Sequence, residues 1–241
     1  MNLSTFQSNG KYGYKDGFSI VIPAQYEAVS LFHEGFAVAV LNNRFGIIDV
    51  KGNFVVENKY DDLCHLFDNY FVARINDGSN WFCGVINTKG EVIIDFNFKC
   101  IQSESDRYFL CYEEAKEIKE NIKYLSLHGR YTYKNQSGCN WYSLDGIFIT
   151  SHTVDFHSDD YVIVKDEECK FGLLKSDGTI LINPKYQNLQ YCDENIFLVS
   201  SESDEISENF IISDSDEIVF STTKKIQFED GFFKGDGMVF Y

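Results

Sequence analysis

Nine acidic side chains stand just ahead of six short aromatic strands: Glu34, Asp68, Asp106, Asp159, Asp160, Asp193, Glu194, Glu229 and Asp230. Carboxylates placed once per repeat make no sequence-fixed acid/base pair. If the repeats stack in register, the turns that carry them share one edge, and the acids form a row that a basic protein surface can engage through charge. The local alternative is that Asp is simply a good turn former. An acid ahead of all six strands, doubled at three of them, favours a surface of functional use.

Other chemistry finds less support. The closest histidines, His152 and His157, flank Asp155, but side chains five apart fall on opposite faces of a strand, so no metal site is expected. There is no Gly-x-Ser-x-Gly elbow and no phosphate-binding Gly-x-x-x-x-Gly-Lys-Ser/Thr loop. Asp214-Ser215-Asp216-Glu217 lacks the glycine and distal glutamate of a calcium loop. A cysteine–histidine nucleophile could still meet in space, which keeps a cryptic hydrolase open as an alternative. Otherwise no catalytic, cofactor-binding or metal-ligating residue is expected, and the chain reads as non-enzymatic.

The chain has 241 residues and a formal net charge of −16. From Ser151 onward 19 Asp+Glu face 7 Lys+Arg, a net of −12; the first 150 residues hold the remaining 18 and 14, a net of −4. Such a balance disfavours nucleic acid and anionic lipid and favours a basic protein. The seven cysteines are odd in number and widely spaced, with no Cys-x-x-Cys, which reads as buried thiols in a reducing compartment. The N-terminal residues lack the basic run and apolar core of a signal peptide, and no apolar stretch approaches the ~20 residues that span a bilayer. A cytoplasmic location is expected.

The elements that must position the acids repeat along the chain. The six strands begin Phe36-Ala37-Val38, Phe71-Val72-Ala73, Phe109-Leu110-Cys111, Tyr161-Val162-Ile163, Phe197-Leu198-Val199 and Phe232-Phe233-Lys234. Taking Phe233 in the last copy, the intervals are 35, 38, 52, 36 and 36 residues. A second block alternates with them. Phe45-Gly46-Ile47-Ile48-Asp49-Val50-Lys51-Gly52 matches Cys83-Gly84-Val85-Ile86-Asn87-Thr88-Lys89-Gly90 and Phe171-Gly172-Leu173-Leu174-Lys175-Ser176-Asp177-Gly178. A strand, a turn opened by Asp or Asn and closed by Gly, and an apolar return strand follow from it. Gly46 and Gly172 are expected where a neighbouring ring crosses the backbone. Tyr12-Gly13 opens a copy shortened by one residue, while the copies at 141–146 and 210–217 have lost part of the pattern. The long interval contains apolar residues at helical spacing, Ala115, Ile118, Ile122 and Leu125, so a short helix is expected over 113–125.

Aromatic-Gly, an apolar pair, Asp-x-x-Gly, an apolar pair and Pro-x-x-Tyr-Asp together resemble the bacterial WG repeat family, from about Lys11 to Lys234. Phe45 to Arg74 carries the pattern best, with Gly46, Asp49, Gly52, Tyr60, Asp61 and Phe71 in place. The family's Trp is Tyr12, Phe45 or Phe171 here, and Glu57, Asp95 and Asn183 stand at the Pro place. The resemblance implies a scaffold that binds proteins, in some cases an immunity protein that neutralises a toxin, and it brings no catalytic residues to map.

The sequence therefore predicts one all-β domain over 1–241: about six three-stranded antiparallel units stacked as a curved, solenoid-like array, with a six-bladed propeller as the rival. The repeats are 11–44, 45–80, 81–112, 130–168, 169–205 and 206–241, with a helical insertion at 113–129. The expected function is protein binding, most concretely by an acidic cytoplasmic immunity protein that blocks a basic toxin domain. The alternative to set beside the hydrolase is a carbohydrate-binding module using exposed Trp81, Trp141 and tyrosines.

Overall fold

A computed structural model describes residues 3–113, 139–193, 195–203, 206–229, 231–235 and 238–240. Every regular element among them is a β-strand. The expected helix over 113–125, and the insertion at 113–129, lie outside the described residues except for Glu113, which sits in a bend. Among the described residues no helix is long and apolar enough to cross a membrane. The chain divides into two compact units, residues 1–134 with 144–146 and residues 135–143 with 147–241.

In the first unit Ser4–Ser8, Lys11–Asp16 and Ser19–Tyr26 form a three-stranded meander. Two four-stranded meanders follow. The first is Ala28–Val29, Phe36–Leu41, Arg44–Asp49 and Phe54–Tyr60; the second is Asp62–Phe67, Tyr70–Asn76, Trp81–Asn87 and Val92–Phe98. The hairpin Cys100–Glu104 and Tyr108–Tyr112 completes it. In the second unit the hairpin Asn140–Ser143 and Phe148–Thr150 precedes the sheet Thr153–His157, Tyr161–Lys165, Phe171–Lys175 and Ile180–Tyr186. Then come Asn188–Asp193, Ile196–Ser203, Ile206–Ser213 and Ile218–Thr222, and a last meander of Gln227–Glu229, Phe232–Gly235 and Met238–Phe240.

The complete sheets have four strands rather than the expected three. The extra strand leads into each aromatic strand, as Asp62–Phe67 leads into Tyr70–Asn76, and its mixed polarity hides it from a search for apolar runs. The sequence repeat and the sheet are also out of phase. A repeat such as 45–80 contributes the last two strands of one sheet and the first two of the next.

Aromatic-led strands are apolar on both faces because each is sandwiched. Ala37 and Ala39 pack with Tyr14, Ile22 and Tyr26 of the preceding sheet, whereas Val38, between them, packs with Leu63, Phe71 and Ala73 of the following one. In the second unit Ile163, Leu173 and Ile182 pack likewise against Leu189, Phe197 and Val199. Alternation therefore assigns a strand's two faces to two cores rather than to core and solvent.

The first glycine of the motif answers a bulge. Phe45 pairs with Tyr60 and Ile47 with Val56, so Glu57, Asn58 and Lys59 stand opposite Gly46 alone. Tyr12/Tyr14, Cys83/Val85 and Phe171/Leu173 show the same jump against Tyr26/Ile22, Phe98/Ile94 and Tyr186/Ile182. A Cβ on Gly46 would lie 2.6 Å from the Val56 carbonyl oxygen and 2.8 Å from the Asn58 nitrogen; on Gly172 it would lie 2.7 Å from the Ile182 oxygen and 2.8 Å from the Pro184 nitrogen. The expected ring crossing is thus chiefly a backbone crossing, although the Phe54 ring at Gly46 and the Phe96 ring at Gly84 add to it. The copy at 210–217 supplies an internal control. Phe210 stands where the glycine would be, six residues before Asp216, and there Asn209, Phe210 and Ile211 pair without a jump with Thr222, Ser221 and Phe220. Pro23 and Pro184 both sit in this bulge, where the ladder needs no N–H.

The second glycine closes the turn and meets the preceding sheet. Gly52 takes φ +84° and donates its N–H to Asp49 O at 2.9 Å, while Asp49 Oδ1 accepts the N–H groups of Lys51 and Asn53, both at 2.9 Å. A Cβ here would lie 2.8 Å from Ile22 Cγ2 of the previous return strand, whose Tyr26 hydroxyl donates to Gly52 O at 2.6 Å. At Gly146 the Cβ would fall 2.2 Å from Ile93 O, and at Gly178 2.9 Å from Phe148 O. In the worn copy Asp216 takes the turn glycine's place at φ +62°, and Tyr186 donates to its carboxylate at 2.6 Å instead.

Valine at Gly46 or Gly172 must push a neighbouring strand's backbone, so each substitution is expected to cost about 1–3 kcal/mol in denaturant unfolding. A loss under half of the lower value would show that the bulge does not demand a glycine.

Candidate functional site

The described acidic residues ahead of the aromatic strands lie in hairpin turns, several of which touch their neighbours. His33 and His65, flanking successive turns, stack with ring centroids 4.9 Å apart and planes 7° apart. His65 Nε2 is 2.8 Å from Asp68 O. Phe67 and Tyr70, which bracket the Asp68 turn, both lie against Phe109 beyond the Asp106 turn, with centroids 5.8 and 5.3 Å away. In the second unit the Tyr161 hydroxyl donates to Asn195 Oδ1, linking the turn of Asp159 and Asp160 to that of Asp193. The turns carrying Glu34, Asp68 and Asp106 thus adjoin one another in the first unit, as the turn of Asp159 and Asp160 adjoins that of Asp193 in the second.

Backbone geometry divides the row in two. Glu34 (φ +49°), Asp68 (φ +42°) and Asp106 (φ +53°) occupy left-handed positions, where short polar residues are tolerated and most others are strained. Turn chemistry accounts for Asp68 and Asp106, whereas the longer Glu34 is strained in that conformation. No left-handed backbone calls for Asp159, Asp160 and Asp193, which are exposed. Ser158 holds their first turn, its hydroxyl accepting the Tyr161 N–H at 3.1 Å, and Asn195 takes the left-handed place in the next. Glu194 and Asp230 lie outside the described residues, as does the side chain of Glu229; Gly231 supplies the positive φ of that turn.

A second set of acids reaches the same end, which reading along the sequence passed over. Two strands separate each lead turn from the Asp-x-x-Gly turn of its sheet, so both turns face the same way. Ser176 N–H donates to Asp160 O at 2.9 Å, and Thr88 N–H to Asn69 O at 3.1 Å. Asp177 and Asp214 thereby join Asp159, Asp160 and Asp193; Asp214 Oδ2, 3.1 Å from the Tyr161 hydroxyl, shares its one proton with Asn195 Oδ1. Burial first, then this contact with Asp214, pushes the Tyr161 hydroxyl up to about 12, so it stays a donor. The Thr179 hydroxyl and N–H hold the Asp177 carboxyl below the usual range, fixing its charge at neutral pH. The up-and-down course of the repeat was the signal that could have found this set.

The acids at the motif's Tyr-Asp step do a different job. Glu27 accepts the N–H groups of Asn42 and Asn43 at 3.2 and 2.8 Å, and Asp61 accepts that of Asn76 at 3.0 Å while meeting Arg44. The Asn43 N–H leads in lowering the Glu27 pKa. These carboxylates are committed to the loops at the other ends of the strands.

The sites weighed for other chemistry come out as follows. His157 rests against the Trp141 ring at 6.0 Å, and His152 is exposed. Among the described residues no three His, Cys, Asp or Glu side chains are grouped to hold a metal ion. Burial pushes the Cys100 thiol up to about 12 and the Cys192 thiol up to about 11; it also raises Cys83, against the pull of the Arg74 guanidinium. All three are protonated at neutral pH and poor nucleophiles. Trp141, expected to be exposed for stacking on sugars, is instead completely buried at 0% exposure because it sits where the repeat places its core strand; Trp81 is half-exposed.

The geometry defines an all-β repeat protein with exposed carboxylates in the lead turns and the Asp-x-x-Gly turns at one end of its sheets. The family model of the WG containing repeat matches residues 12–45, 45–78 and 84–103. No curated protein matches it in sequence. Among solved structures it is similar to apo AztD from Citrobacter koseri, at 9% identity and a TM-score of 0.31, over 98% of this chain and 72% of that one. It is also similar to a quinonprotein alcohol dehydrogenase-like protein from Bacteroides thetaiotaomicron, at 11% identity and a TM-score of 0.26, over 91% of this chain and 65% of that one. Neither likeness is close enough to bear on function.

Because a left-handed glutamate is strained, Glu34→Gly is expected to raise stability by about 0.5–1 kcal/mol, the relief being partly offset by glycine's greater freedom when unfolded. A thermal melt showing a loss instead would mean that the Glu34 carboxylate supports the fold.

Proposed function

We propose that this chain is a non-enzymatic binding scaffold that engages a basic protein through the acidic turn edge of its second unit. The observation that carries the reading is that Asp159, Asp160 and Asp193 are exposed at positions whose backbone does not call for them, beside the charged Asp177. The net charge of −12 from Ser151 onward points the same way. Exposed carboxylates attract a basic surface over roughly a Debye length, about 8 Å at physiological salt, and act mainly on the rate of encounter. In its finer form the scaffold is an immunity protein of the bacterial cytoplasm, and the basic surface belongs to a toxin domain whose action it blocks.

The test is to cross-link the native chain to its partner, identify that protein, and measure its association with wild type and with an Asp159→Asn, Asp160→Asn, Asp177→Asn, Asp193→Asn variant. Wild type is expected to associate more slowly as salt rises, and the folded variant to associate about 10-fold more slowly at low salt with a flatter salt dependence. Equal rates for the two proteins would remove the acidic edge from recognition. A basic partner that is not toxic in the absence of this chain would remove the immunity role and leave the scaffold reading in place.

A further inference from the structure

Beside the acidic turns of the second unit, two aromatic rings from successive lead strands are stacked where solvent reaches them. Phe156 of Thr153–His157 and Tyr191 of Asn188–Asp193 lie with centroids 5.6 Å apart and planes 15° apart. Register explains why they meet. Phe156 pairs with Ile163 and Tyr191 with Phe197, and Ile163 and Phe197 share one core, so both rings are turned into the same layer. On the inner side the Tyr191 ring lies 5.7 Å from Phe197 and 6.3 Å from Tyr161. The pair is not closed towards solvent: Phe156 keeps 38% of its surface exposed, and Tyr191 is only half-buried.

The first unit has imidazoles at this place. His65 pairs with Phe71 as Tyr191 pairs with Phe197, and it stacks on His33. In the second unit the rings are a phenyl and a phenol, whose faces carry the negative end of a quadrupole and attract a cation. The lead turns next to them carry Asp159, Asp160 and Asp193, which no left-handed backbone calls for. Asp159 follows Phe156 by three residues and Asp193 follows Tyr191 by two, at most about 10 and 7 Å of chain.

We infer that the Phe156–Tyr191 pair is an arginine-binding platform: the basic partner presents a guanidinium whose flat face lies on the exposed ring while its N–H groups reach the carboxylates of the neighbouring turns. The inference rests on the acidic-edge reading above and names the side chain which that edge receives. Charge complementarity selects a cation, since the chain from Ser151 onward carries −12. Ring and carboxylate together select arginine over lysine. A guanidinium is planar, weakly hydrated and forked, so it stacks on a ring and donates to an acid at once. An ammonium is compact and strongly hydrated, and it meets ring or acid as a point charge.

The test is calorimetric titration of the full chain with hexa-arginine and hexa-lysine peptides, every variant being checked for folding by circular dichroism. Wild type is expected to bind hexa-arginine about 5-fold more tightly than hexa-lysine. Phe156→Leu keeps an apolar side chain and removes the ring, and is expected to bring the arginine peptide down to the affinity of the lysine one. Phe18→Leu removes an exposed ring of the first unit and is expected to keep the full preference. The Asp159→Asn, Asp160→Asn, Asp177→Asn, Asp193→Asn variant is expected to bind both peptides about 10-fold more weakly at low salt. Wild type that binds neither peptide, or both equally, overturns the inference. So does a preference that survives in folded Phe156→Leu or is lost in Phe18→Leu. If the asparagine variant is weakened in those cases, the acidic edge stands without its arginine. An asparagine variant that binds both peptides as wild type does overturns the edge and the inference with it.

Discussion

A turn that must lie flat on the strand behind it constrains the rest of this molecule. At Gly52, Gly146 and Gly178 the chain reverses in a left-handed conformation against a preceding return strand, with less than 3 Å left for any Cβ. Only glycine satisfies both conditions at once, since it carries no Cβ and no left-handed penalty. The Tyr26 hydroxyl then fixes the lateral position of the turn, because its 2.6 Å bond to Gly52 O leaves little freedom to slide. Tyr186 and Asp216 restate that tie with a carboxylate in place of a carbonyl.

The arrangement of the edge follows from this contact. Once turn and strand are locked, neighbouring hairpins arrive side by side, and the His33–His65 stack and the Tyr161–Asn195 bond are results of that register. Both turns of a sheet face one end, so carboxylates far apart in sequence, such as Asp160 and Asp177, become neighbours. At the opposite end Glu27 and Asp61 spend their oxygens on loop N–H groups, while Glu167 and Glu168 stay exposed in the turn after Tyr161–Lys165. A scaffold built this way can vary its turn residues with little disturbance to the cores.

The repeat itself was legible in the residues because it is written in glycines and aromatics whose roles are steric. Gly46, Gly84 and Gly172 and the tyrosines at 26, 60 and 186 fall in equivalent places, and the all-β class follows from them. The lead strands were not legible, since Asp62–Phe67 mixes Asp, Cys and His with its apolar residues and shows no clean alternation. The glycine bulge was anticipated as a ring crossing because composition suggests aromatics before it suggests three residues standing against one. Trp141 misled because tryptophan in a worn copy reads as a surface residue, while its strand is still a core strand. Of the site, the sequence located the acidic positions but could not separate acids that a turn requires from those it does not, because that distinction lies in φ.

The central claim is that the turn glycine carries contact between sheets as well as conformation, and Gly17 and Gly146 separate the two. Both have positive φ, +58° and +77°, but a Cβ would meet nothing within 4 Å at Gly17 and would fall 2.2 Å from Ile93 O at Gly146. The most direct measurement is the unfolding free energy of Gly17→Ala and Gly146→Ala in the same denaturant. The left-handed penalty of about 1 kcal/mol is common to both, so Gly146→Ala is expected to cost at least about 2 kcal/mol more through overpacking. Equal losses at the two positions would mean that the glycines serve the turn alone, and the account of how the sheets are joined would be wrong.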